Sequence, residues 1–308
     1  MITENLKLVT TEDDEQVAVW TVTKDSIASD SSPVAEPQNI FLTHGTFSDK
    51  KVCLGIASYL CQLGHTCYIM EWRGHGHSSV PKDKFNFETV ATHDYKATFR
   101  YLFDELKLDN LHSVTHSGGG VGLAMFLVQN PDYIDKINSI STFACQAYGA
   151  VLSPMGYAQI MGLKIVTKLL GYLPAKKLGL GPFNESYYTM KQWYDWNLNK
   201  NFESSFLKVS TLKEQEQRFD YRQSIADITT PVYAISGKGD RFVSPTLGCQ
   251  LFFDNFGSSI GNADNTFIEY SVANGHLEDY DHTRVLMSRN AANEIWPTVA
   301  AWIERYAG

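Results

Sequence analysis

Short apolar runs alternate with longer segments whose apolar residues recur at helical spacing. Leu6-Lys7-Leu8-Val9 and Val17-Ala18-Val19-Trp20-Thr21-Val22 flank an acidic turn, Glu12 to Glu15, and predict a hairpin. Asp25 to Gln38, rich in Ser, Asp and Pro, predicts a surface loop. Ile40-Phe41-Leu42-Thr43 and Cys67-Tyr68-Ile69-Met70 are continuous apolar runs, the pattern of strands covered on both faces. Between them, Lys50 to Gln62 predicts a helix. From Phe87 to Leu106, the positions Tyr95, Phe99, Leu102 and Leu106 return at turn spacing. Leu111 to Val114 predicts a strand, Val121 to Gln129 a helix and Ile137 to Phe143 another strand.

The alternation then stops. Gln146 to Ile228 shows no strand pattern and predicts two helical segments, Met155 to Tyr172 and Glu185 to Asn199, followed by a third, polar segment from Thr211 to Ile228. Strands resume at Pro231 to Ser236 and Thr266 to Tyr270. A terminal helix carries Ile295, Val299, Trp302 and Ile303 on one stripe. The fold class expected is α/β, a mostly parallel sheet flanked by helices on both faces. Residues 1–145 and 229–308 would form the core, and 146–228 an inserted helical cap.

Composition narrows the picture. The 308 residues are 44% hydrophobic and 19% charged, a globular balance. The net charge of -8 disfavours non-specific binding to nucleic acid or to anionic lipid surfaces, and leaves a local basic patch open. Cys53, Cys61, Cys67, Cys145 and Cys249 show no CxxC spacing, which reads as reduced core thiols. The first residues have neither a basic nor an apolar leader region, so a cytoplasmic location is expected. The longest apolar stretch, Tyr157 to Leu173, includes Lys164 and Lys168 and falls short of a membrane span, so no stable membrane insertion is expected.

Candidate chemistry centres on Val114-Thr115-His116-Ser117-Gly118-Gly119-Gly120. Strand, sharp turn and helix would hold Ser117 as an exposed nucleophile. Gly119 is the small residue needed two positions after Ser117, whereas Thr115 stands where the usual G-x-S-x-G pattern has Gly. A serine hydroxyl needs a base to take its proton and an acid to orient that base. Gly237-Lys238-Gly239-Asp240 follows one strand and Asn274-Gly275-His276 the next. The order Ser117, Asp240, His276 is the one this architecture requires. His282 is a rival base six residues further from the strand end. Asp279 and Asp281 read as solvated or helix-start residues. The amides of Gly118 and Thr46 would stabilise an oxyanion, and His44 would anchor its loop. As metal ligands His75 and His77 lack carboxylate or Cys partners, so Arg73 to Ser78 reads as a structural turn. His116, Trp193 and Tyr187 are candidate substrate contacts.

His44-Gly45, Arg73-Gly74-His75-Gly76, the turn at Ser117, Gly237-x-x-Asp240-x-x-Val243 and Gly275-His276 together resemble the α/β-hydrolase superfamily. Among its members they resemble cap-bearing esterases and lysophospholipases most. The resemblance runs from Ile40 to the terminal helix. It implies Ser117 as nucleophile, His276 as base then acid, Asp240 as orienting acid, and Thr46 and Gly118 as oxyanion donors. It also implies a small-molecule acyl substrate, with no cofactor or metal, and it allows a homo-oligomer. The expected reaction is hydrolysis of a carboxylic ester or thioester through an acyl-enzyme. Lactone hydrolysis, acyl transfer and a non-catalytic ligand sensor are the alternatives.

Overall fold

A computed structural model describes residues 1–24, 36–210, 216–259, 261 and 264–307. Eight strands form its main sheet: β1 (Ile2–Thr10), β2 (Gln16–Lys24), β3 (Asn39–Thr43), β4 (Thr66–Glu71), β5 (Leu111–His116), β6 (Ile137–Phe143), β11 (Val232–Gly237) and β12 (Thr266–Tyr270). Their order is β1-β2-β4-β3-β5-β6-β11-β12. β1 and β2 form the antiparallel hairpin read from the sequence, and β2 also pairs antiparallel with β4. From β4 to β12 every pairing is parallel.

The apolar runs split by residue parity, because successive side chains leave a strand on opposite faces. Ile40, Leu42, Cys67 and Ile69 join Ile56 and Leu60 of helix Lys51–Gln62 and Val299 and Ile303 of the terminal helix. Phe41, Tyr68 and Met70 face the other way, onto Tyr95, Phe99, Leu123 and Phe126. That second layer holds helix Gly118–Gln129 and a helical segment over 87–105, which widens into π turns at Val90–Tyr95 and Tyr101–Glu105. The cysteines are all free and buried.

Between β6 and β11 the chain leaves the sheet. Helices Pro154–Leu170 and Tyr187–Asn199 fall where helical spacing put them. The expectation of no strands fails here. Two two-stranded ribbons occur, β7 (Tyr172–Leu173) with β8 (Glu185–Ser186), and β9 (Glu203–Ser210) with β10 (Glu216–Asp220). Of the polar segment Thr211 to Ile228, 211–215 lie outside the described residues. β10 takes the next stretch, and only Tyr221–Ile225 is helical. Long-range partners override local spacing. Buried Glu88 accepts hydrogen bonds from Ser204 Oγ, from Ser205 N at 2.6 Å and from Tyr221 Oη at 2.7 Å, tying β9 to the core. Most of the loop expected at Asp25 to Gln38 lies outside the described residues.

Candidate active site

Parallel strands bring their carboxyl ends to one edge, and the loops there hold the candidate residues. At the end of β5, Ser117 has φ 54° and ψ -127°, a conformation rare for a residue with a Cβ. Its amide donates to Phe143 O at the end of β6, 2.9 Å away, and its carbonyl accepts from Gly120 N at 3.1 Å. Strand and helix can meet this closely because the helix starts with glycines. A Cβ on Gly119 would stand 2.8 Å from His44 O. Thr115 fits for a related reason. It is fully buried, and a Cβ on Gly120 would stand 3.0 Å from its Oγ1 and 2.5 Å from Cys145 Sγ. The space usually gained by glycine before the serine is gained here three residues after it.

Asp240 sits in the tight turn after β11. Its Oδ1 accepts from Val243 N at 3.0 Å, and Oδ2 accepts from Ser244 N at 3.0 Å. Burial pushes its carboxyl up, but the His282 bond and charge and these amides prevail and hold it below the usual carboxylate value.

The imidazole that joins Ser117 to Asp240 belongs to His282, not His276. His282 Nδ1 lies 2.6 Å from Asp240 Oδ2, and its Nε2 lies 2.9 Å from Ser117 Oγ. With Nδ1–H donating to the carboxylate, Nε2 is free to accept the serine proton. His276 is turned back onto β12. Its amide donates to Ser271 O at 3.1 Å, its Nδ1 lies 3.2 Å from Ser271 N, and its ring packs 4.3 Å from that of Tyr270. The chain folds back over Gly275 (φ 88°) and buries Tyr280, whose carbonyl accepts from Gly239 N in the Asp240 turn at 2.8 Å. Those six residues are the length needed to cross to the site. Asp281 then caps the short helix Arg284–Met287, accepting from Arg284 N at 2.8 Å. The sequence marks this loop only by Tyr280 and a helix-start Asp281-His282-Thr283, and the burial of Tyr280 that selects His282 belongs to the fold.

His116 holds this loop from below. Its Nε2–H donates to His282 O at 2.8 Å, and burial beside His282 lowers its pKa to about 3. It is therefore neutral. His44 is also neutral, with burial first and His75 second lowering it to about 3. Its Nδ1–H donates to Gly45 O at 2.7 Å and its Nε2 accepts from Trp72 N at 3.2 Å, the loop-anchoring part expected of it.

The amides of Thr46 and Gly118 have no hydrogen-bond partner among the described residues, and both residues line the cavity over Ser117. Gly45 presses on Gly118, since a Cβ there would lie 2.6 Å from Gly118 N. One residue on, Phe47 (φ 66°) donates its amide to Glu185 Oε1 at 3.2 Å, and His75 Nε2–H donates to the same oxygen at 2.8 Å. In the fold each has a carboxylate partner, Glu185 from the insertion for His75 and Glu71 from the end of β4 for His77. Arg73 to Ser78 is nevertheless a hydrogen-bonded turn.

The cavity encloses about 480 Å³ and is walled mainly by apolar side chains, among them Leu163, Leu173, Leu180, Met190, Trp193 and Phe242. Trp193 and His116 are where substrate contacts were expected. Tyr187 is not among the lining residues. It opens its helix, its amide donating to Gly171 O at 2.9 Å, while Met190 and Trp193, one and two turns on, present the helix to the cavity.

The alpha/beta hydrolase fold family matches residues 38–252, and the chain belongs to that family. It is similar in structure to an esterase from Exiguobacterium antarcticum, with 15% identity, a TM-score of 0.64, and coverage of 97% of this chain and 99% of that one. It is also similar to an esterase from Pyrococcus furiosus, at 14% identity and TM-score 0.61, covering 100% and 92%. A thermophilic esterase from Thermogutta terrifontis aligns at 13% identity and TM-score 0.58, covering 99% and 100%. No curated protein matches the chain in sequence.

Proposed function

We propose that the protein hydrolyses carboxylic esters of an apolar acid through an acyl-enzyme on Ser117. The observation carrying this reading is the continuous hydrogen-bonded line Ser117–His282–Asp240 beneath an apolar cavity. Ser117 Oγ attacks the ester carbonyl carbon as His282 Nε2 takes its proton. Asp240 stays ionised, holds the ring in the required tautomer and stabilises the imidazolium. The negative oxygen that develops accepts from the Thr46 and Gly118 amides. The intermediate collapses, and the alcohol leaves with the proton from Nε2. Water, deprotonated by the same nitrogen, then cleaves the acyl-serine and the Ser117 proton is restored. The insertion acts as a cap whose Leu163, Leu173, Met190 and Trp193 receive the acyl chain.

Short p-nitrophenyl esters test this directly. Ser117→Ala and His282→Ala should each lower kcat/KM by at least about four orders of magnitude. His276→Ala should leave it within a few-fold of the parent. Full activity in Ser117→Ala would overturn the mechanism, and equal loss in His276→Ala would overturn the choice of base. Labelling of Ser117 by a fluorophosphonate separates this reading from a non-catalytic ligand sensor, which would not react.

A further inference from the structure

Helix Pro154–Leu170 departs from the usual surface pattern, in which the polar stripe faces water. It buries only Ile160 and Thr167. Met155, Ile165, Val166, Leu169 and Leu170 are all at least half exposed, and Leu169 is 81% exposed. Met155, Gly162, Val166 and Leu169 follow one another at helical spacing along a single stripe, with Ile165 and Leu170 beside it and Ile160 and Thr167 opposite. Further along the chain Leu178 and Leu180 are also exposed, at 56% and 50%, and Leu180 forms part of the cavity wall. Scattered exposed apolar residues are ordinary, but a contiguous face of this kind marks an interaction surface.

Charge indicates what covers it. The chain carries a net charge of -8, yet from Ala144 to Phe183 it has no Asp or Glu and four lysines, Lys164, Lys168, Lys176 and Lys177. Lys164 is tied to Asp195 at 2.5 Å. The other three are exposed and form no ion pair among the described residues. We propose that this face docks the protein on an anionic lipid bilayer, the stripe seated at the boundary of headgroups and acyl chains and the lysines among the headgroups. A second copy is the weaker occupant, because a two-fold contact would bring these lysines against their own counterparts. Among the described residues no helix is long and apolar enough to cross a membrane, so the docking is peripheral. It also places the cavity wall at Leu180 against the lipid surface.

Flotation with vesicles of phosphatidylcholine alone, or mixed with phosphatidylglycerol, tests the proposal. The protein should float with the anionic vesicles, less so at high salt, and poorly with the neutral ones. Lys168→Gln and Lys177→Gln should each weaken binding about fivefold. Val166→Ser with Leu169→Ser should weaken it at least about tenfold. That double variant should retain hydrolysis of a water-soluble short ester, showing that it is folded. Ser117→Ala should bind as the parent does, so failure of the proposed chemistry would leave docking standing. Absence of flotation with anionic vesicles would overturn the proposal. So would equal binding to both vesicle types, or variants that lose only concentration-dependent self-association in sedimentation.

Discussion

At the scale of single residues, the site rests on a contact between two side chains and one missing Cβ. Thr115 and Cys145 close on Gly120 from two sides. Adding a methyl group at Gly120 puts it 2.5 Å from Cys145 Sγ, closer than any packing allows. Gly120→Ala should therefore cost about 1–3 kcal/mol in urea unfolding and reduce activity, because the Ser117 turn shares that helix start. Adding Cys145→Ala to it removes the nearer obstacle and should restore part of the stability. No recovery in the double variant would mean that Thr115, not the thiol, sets the limit.

At the scale of elements, the loop after β4 and the β7–β8 ribbon meet in a buried ion pair. Both nitrogens of His75 face acceptors, Arg73 O at 3.0 Å and Glu185 Oε1 at 2.8 Å. Burial alone would lower the His75 pKa, but the Glu185 charge and bond prevail and raise it. The folded state favours the charged ring, and its contribution is present below the unfolded pKa and fades as pH rises through the raised one. Glu185 also fixes the Phe47 amide beside Thr46. Glu185→Ala should cost about 3 kcal/mol and, on the proposed mechanism, lower kcat more than it raises KM, because the proposed oxyanion donor Thr46 loosens while the apolar cavity remains. Urea unfolding and steady-state kinetics on one preparation check both halves. An unchanged kcat in a destabilised variant would limit Glu185 to holding the fold.

At the scale of the whole molecule, acid should unfold the protein well before its carboxylates titrate in bulk. His44 and His116 are depressed to about 3 and His112 to about 4, in each case chiefly by burial. A histidine depressed in the folded state takes up its proton first in the unfolded chain. Stability therefore falls as pH drops below about 6.5, by roughly 1.4 kcal/mol per pH unit for each group. Asp94 works in the opposite sense, since burial lifts its carboxyl to about 6 against the pull of Arg73. Together these four groups give a loss on the order of 4 kcal/mol between pH 7 and pH 5, which the raised His75 offsets in part. Urea midpoints at the two pH values measure it, and an unchanged midpoint would mean these rings are not held neutral.

Local sequence was sufficient where one element satisfies its own constraints. The two-sided strands, the helices packed on them and the serine turn were all legible, because alternation, turn spacing and glycine placement act over a few neighbouring residues. Asp240 was legible too, its carboxylate being satisfied by amides two to four residues on. Only tertiary structure decided between His276 and His282. That choice depends on how Tyr280 is buried and how far the chain must travel to reach Asp240, and neither distance is written in residue spacing. The same holds for β9, whose shape is set by Glu88 from a remote part of the chain. It holds again for the His75–Glu185 pair, which exists only once the insertion has folded against the sheet. Short-range sterics and hydrophobic period reside in the sequence, whereas a buried charge finds its partner only through the path of the whole chain.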